Sequence, residues 1–91
     1  MTNQTSIIPV DFMQYVIDSG TRDDGQRFME LSFPNGYGAS IILGFGTYGL
    51  ELAVLQNGQL TYDTPITSDV LGWLSPSDLP AILISIMALK E

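Results

Sequence analysis

Between residues 28 and 63 the chain alternates between apolar and polar side chains, and turn-forming pairs interrupt it at short intervals. This pattern constrains the fold most, because period-two alternation sends successive side chains to opposite faces of a strand. In residues 28–33 (FMELSF), Met29, Leu31 and Phe33 are expected inward, with Glu30 and Ser32 outward. Residues 34–36 (PNG) supply a turn, since proline presets φ and Asn-Gly accepts positive φ. Residues 37–43 place Ala39, Ile41 and Leu43 on one face, and Leu50, Leu52 and Val54 repeat the pattern with Glu51 outward. Asn57-Gly58 has the composition of a type I′ hairpin and leads into a strand over residues 60–63. Asp24-Gly25 marks an earlier hairpin, so residues 12–19 (FMQYVIDS) read as its first strand. Over the same residues, Asp11 could instead cap a short helix with Phe12, Met13, Val16 and Ile17 on one face. Four or five short strands joined by tight turns make an antiparallel meander.

After Pro65 the period changes. Residues 69–74 (DVLGWL) suit one or two helical turns capped by Thr67 or Ser68. Ser77 is a suitable N-cap for a helix over residues 78–90, with Asp78 in the first turn and Lys90 at the negative C-terminal end. Pro80 is tolerated in that first turn, where its missing N–H has no intrahelical partner. The expected fold class is α+β: a four- to five-stranded antiparallel meander packed with one long C-terminal helix, and a short helical turn before it. Residues 12–91 would form a single domain behind a flexible N-terminal arm of residues 1–11, since 91 residues leave no room for a second core. Within residues 79–89, only Ser85 is polar. A helix apolar on every side calls for cover on its outer face as well. Ile7, Ile8 and Val10 of the arm could supply that cover. Self-association or a partner interface is the favoured alternative: a homodimer or larger assembly is expected, and Ile84 and Ile86 belong to the dimer seam or to the surface that docks a partner.

Charge narrows the partners. Ten acidic residues oppose Arg22, Arg27 and Lys90, for a net charge of −7. Three cations cannot build a phosphate-binding stripe, so direct nucleic-acid binding is not expected, and anionic membranes would repel the chain. The ten carboxylates are scattered rather than crowded at phosphate-like spacing, so the charge reads as steering toward a basic partner, with mimicry of nucleic acid as the alternative. Residues 1–6 are polar and uncharged, unlike a signal peptide, and the apolar run at residues 81–89 is too short to span a bilayer. The expected location is intracellular.

Chemistry is narrowed as well. The chain has no histidine and no cysteine, which removes the commonest general base, the thiolate nucleophile and the usual zinc ligands. Residues 44–49 (GFGTYG) match G-x-G-x-x-G, but strand character follows where a dinucleotide site needs a helix to open. The segment reads instead as a glycine-rich hairpin presenting Phe45 and Tyr48. Glu30 and Glu51 read as solvated strand residues, and Asp23 and Asp24 as turn formers. No catalytic residue, cofactor or metal is expected, and the chain is not expected to be an enzyme.

Residues 30–42 (ELSFPNGYGASII), 51–55 (ELAVL) and 62–67 (YDTPIT), followed by Asp69-Val70 and Gly72, resemble a group of small phage and prophage proteins. FPNGYGAS and YDTPIT are its most specific pieces, while residues 44–48 and the apolar last helix depart from the pattern. The resemblance implies an accessory gene of a mobile element and carries no catalytic residues. Small acidic proteins of that setting bind and block host proteins, among them nucleic-acid-binding defence complexes. The expected function is therefore stoichiometric inhibition of a host defence system, in the manner of an anti-CRISPR protein. Candidate partner-binding residues are Phe45, Tyr48, Asp63, Asp69, Trp73, Ile84 and Ile86, because aromatic side chains dominate interface energetics and acidic ones steer. Tyr37 is a further aromatic candidate, and core packing is the alternative for it as for Phe45, Tyr48 and Trp73. The alternative function is a homo-oligomeric virion or assembly component of a phage.

Overall fold

A computed structural model of the chain describes residues 8–44, 49–67 and 69–90. Pro9, at φ −60°, precedes a 3-10 helix over Val10–Tyr15, closed at its start by the Phe12 N–H donating to the Pro9 carbonyl at 3.0 Å. Strand β1 (Val16–Thr21) begins where the β-branched pair Val16-Ile17 takes over. The stretch expected as one strand over residues 12–19 is thus divided. Its first half coils because Phe12 turns into the core, along with Ile8, which is 3% exposed. Ile8, an arm residue by its sequence position, belongs to the packed core, whereas Val10 is 80% exposed and outside it.

β1 turns through residues 22–26, with Gly25 at φ 88°, into β2 (Arg27–Ser32). The Pro34-Asn35-Gly36 turn, with Gly36 at φ 87°, leads to β3 (Tyr37–Leu43), and β4 (Leu50–Gln56) follows the glycine-rich segment. Asn57 and Gly58 sit at φ 52° and 83°, the left-handed pair that a type I′ turn requires, and deliver the two-residue β5 (Gln59–Leu60). The expected strand over residues 60–63 therefore ends early.

Residues 71–74, expected as helix, form β6 (Leu71–Leu74), antiparallel to β4. The reason is tertiary. A single helical turn carries the full nucleation cost and contains Gly72, whereas the edge of β4 at Leu50–Leu52 offers ladder partners. β5 and β6 lie in line on the same side of β4, facing residues 55–56 and 50–52 respectively. The sheet order is β1-β2-β3-β4 with β5 and β6 sharing the last place, every pairing antiparallel. Residues 62–70 leave the sheet between them and return Ile66 to the core.

A 3-10 turn over Pro76–Asp78 leads into helix α1 (Leu79–Met87). The cap is Ser75 rather than the expected Ser77: Asp78 Oδ2 accepts the Ser75 N–H at 2.8 Å and its hydroxyl at 3.1 Å. α1 stops short of Lys90 because Asn35, in the β2–β3 turn, receives its end. Asn35 Nδ2 donates toward the carbonyls of Ile86 (2.9 Å), Met87 (3.1 Å) and Leu89 (3.0 Å), and Oδ1 accepts the Tyr37 N–H at 3.0 Å.

The fold is α+β, with the core on one face of the sheet. Met29, Leu31, Ala39, Ile41, Leu50, Leu52 and Val54 meet Leu79, Leu83 and Ile86 of α1 together with Ile8, Phe12 and Phe33. Tyr15 packs edge-on against Phe33, with ring centroids 5.2 Å apart. Ile86, grouped with Ile84 as a seam residue by its spacing, is fully buried in this core. The outer face of α1 is Ala81, Ile84, Ser85 and Ala88, so the helix exposes one large apolar side chain there and not a continuous stripe. Tyr37 is half-buried against the core.

Candidate functional site

The other face of the sheet carries no helix among the described residues. Cross-strand pairing there aligns Phe28, Ile42 and Glu51 in one row, and Glu30, Ser40 and Ala53 in the next. Ala53 and Leu55 are nonetheless buried, because Leu60 and Val70, on either side of the excursion from the sheet, flank this face. A cavity of about 220 Å³ lies over it, lined by Arg22, Ser40, Ile42, Glu51, Ala53, Leu60 and Val70. A second, of about 430 Å³, is lined by Glu51, Asp69, Val70, Gly72 and Trp73. The two share Glu51 and Val70 and so adjoin.

Trp73 owes its position to a β-bulge. Leu50 pairs with Leu74 and Leu52 with Leu71, so β6 carries one more residue than β4 over the same span. The extra length is absorbed by Trp73 itself, which adopts the left-handed conformation at φ 58°. Gly49 lies opposite; its φ of 68° favours glycine, and a Cβ there would make only ordinary 3.9 Å contacts with Trp73. The indole is 79% exposed. A tryptophan at positive φ is costly, and here the cost accompanies a ring turned to solvent beside a cavity.

Asp69 is positioned by its own loop. The Thr67 hydroxyl donates to the Asp69 carbonyl at 2.8 Å and accepts its N–H at 3.1 Å, while Asp69 Oδ1 accepts the Val70 N–H at 2.7 Å. Glu51 approaches from the middle of the sheet, half-buried on β4. The Trp73 cavity thus has two carboxylates, an indole and no basic group among its described lining residues. Arg22 stands in the other cavity, its guanidinium 5.3 Å from the Phe28 ring centroid and its Nη1 donating to Gln26 Oε1 at 2.8 Å.

Of the residues nominated from sequence, the fold brings Asp69 and Trp73 together. Asp63 is exposed and lines neither cavity, and Ile84 lies on the outer side of α1, 58% exposed. Phe45 and Tyr48 lie outside the described residues. The flanks of the G-x-G-x-x-G segment are β3 and β4, paired antiparallel with Leu43 opposite Leu50, so the element after it is a strand and not a helix N-terminus. Sequence reasoning missed Glu51 and Val70, because nothing local distinguishes a cavity-lining strand carboxylate from a solvated one.

Among the described residues, no group of three or more acidic side chains is placed to hold a metal ion, and no helix is long and apolar enough to cross a membrane. Comparison with protein-family profiles, curated proteins and solved structures finds no match to this chain.

Proposed function

We propose that this chain is an accessory protein of phage or prophage origin that acts by binding a host protein stoichiometrically, as an inhibitor of a host defence system such as CRISPR–Cas. The observation that carries the reading is Trp73: a large ring held 79% exposed in a left-handed backbone, beside a cavity that Glu51 and Asp69 also line. Exposed aromatic anchors beside pockets are what protein interfaces use, and backbone strain is retained where function requires it. The net charge of −7 favours encounter with a basic surface, such as the nucleic-acid-binding face of a defence complex. Inhibition would then be steric occlusion.

The virion-component alternative draws less support. β1 is an edge strand with a bulge between Val16 and Asp18 and polar residues after Ile17, and the opposite edge is split between β5 and a bulged β6. Such edges discourage strand-to-strand assembly.

The test is capture from host lysate, identification of the retained protein by mass spectrometry, and titration of that protein's activity. Inhibition saturating at a fixed molar ratio, with the target recovered chemically unmodified, is the expected result. Inhibition at far below stoichiometric amounts, or a covalent change in the target, would mean an enzyme.

A further inference from the structure

We infer that the Trp73 cavity is a receptor for an arginine side chain of the partner, whose neighbouring apolar residues lie along Ile42, Ala53, Leu60 and Val70. This rests on the protein-binding reading above and specifies the chemistry of the partner. The cavity of about 430 Å³ pairs an indole, 79% exposed, with the carboxylates of Glu51 and Asp69. An indole face attracts a cation lying over it, and a carboxylate beside it can take the same cation's N–H donors. Arginine suits this combination better than lysine. Its guanidinium is planar, stacks on an aromatic face, bonds a carboxylate through two donors and is weakly hydrated, so it tolerates the apolar floor supplied by Val70. The chain uses the same chemistry internally, where Arg22 lies over Phe28.

A second copy of this chain suits the cavity poorly. Two copies would bring −7 against −7, and each has only Arg22, Arg27 and Lys90 to offer. Arg22 is engaged with Phe28 and Gln26. A basic partner satisfies both the charge and the adjoining cavities: a cation at Glu51, Asp69 and Trp73 and apolar contact over Ala53 and Ile42.

Trp73 is the single tryptophan, so its fluorescence reports on this cavity alone. The full chain is titrated with the peptide acetyl-Leu-Arg-Leu-amide and with its Lys and Gln counterparts. The arginine peptide is expected to shift the emission to the blue saturably and to at least halve quenching by acrylamide. The lysine peptide should bind several-fold more weakly, and the glutamine peptide should produce no shift. The double variant E51Q/D69N should lose at least tenfold in affinity for the arginine peptide with its melting temperature unchanged. Should the double variant lose its fold, D69N alone, at an exposed position, should lose several-fold. An equal response to the glutamine peptide, no response to any peptide, or undiminished affinity in the folded carboxamide variant would overturn the inference. Failure here differs from failure of the proposed function. Stoichiometric inhibition that survives Trp73→Ala and E51Q/D69N defeats the arginine site alone, whereas a saturable arginine response without any host target defeats the inhibitor reading alone.

Discussion

Two residues do work that their neighbours in sequence do not announce. Trp73 sits at φ 58°, where a side chain crowds the following carbonyl and costs about 1–2 kcal/mol relative to glycine. Because its ring is largely exposed, little packing is lost on removing it. Trp73→Gly is therefore expected to raise stability by about 1 kcal/mol in urea denaturation while abolishing partner binding. A fall in stability would mean that the indole is a packing residue and not a contact held at a cost. Asn35 is the opposite case. Its amide serves three carbonyls at the end of α1 and the N–H of Tyr37, so Asn35→Ala removes a partner from each, although the Ile86 carbonyl keeps the Leu89 N–H. A loss of about 1–3 kcal/mol is expected by chemical denaturation. Asn35→Asp should be no better, since a carboxylate has no donor for those carbonyls. An unchanged midpoint in both variants would remove Asn35 from the account of where the helix stops.

At the scale of elements, α1 separates two roles that spacing alone merges. Ile86 is fully buried and Ile84 is 58% exposed, although both lie in one apolar run. Ile86→Glu places a carboxylate in the core without a counter-charge and should unfold the chain at room temperature, read by circular dichroism. Ile84→Glu should leave the melting curve nearly unchanged. If two copies associate through α1, light scattering should show Ile84→Glu as a monomer and the unaltered chain as a dimer. Equal masses for the two would place any self-association elsewhere. The strands show a similar division of labour. β2, β3 and β4 are continuous and build the core, whereas β1 and the four-residue β6, at the edges, are bulged. One of those bulges places Trp73 beside its cavity.

For the whole molecule, the excess of ten acidic over three basic residues acts through the solvent. Fields of this kind raise encounter rates with an oppositely charged surface and are screened over roughly 10 Å at 0.1 M salt. Association with the host target should therefore slow severalfold between low and physiological salt in a surface-binding assay, while dissociation changes far less. Removing charge at Asp63 or Asp69 should lower the association rate. At Asp69 dissociation should also quicken, because that carboxylate lines the Trp73 cavity and Asp63 does not. An association rate insensitive to salt would show that the acidity serves something other than steering. Bare DNA or RNA should not bind detectably at physiological salt.

What the sequence determined by itself is what local physics can read. Alternation and turn chemistry specify β2, β3, β4 and their hairpins, because a period of two and a positive-φ pair act within a few residues. The inward faces followed from the same pattern, as did a C-terminal helix. Tertiary structure decided the rest, and in each case the deciding partner is distant along the chain. Residues 71–74 became a strand because β4 presents an edge about twenty residues earlier, overriding a weak helical tendency. α1 ends at Met87 because Asn35, 51 residues before Ile86, receives its carbonyls. Asp69 and Trp73 were legible as candidates through residue type alone. Their meeting with Glu51 and Val70 was not, because only the bulged pairing of β6 on β4 brings a strand carboxylate, a loop carboxylate and an indole to one cavity.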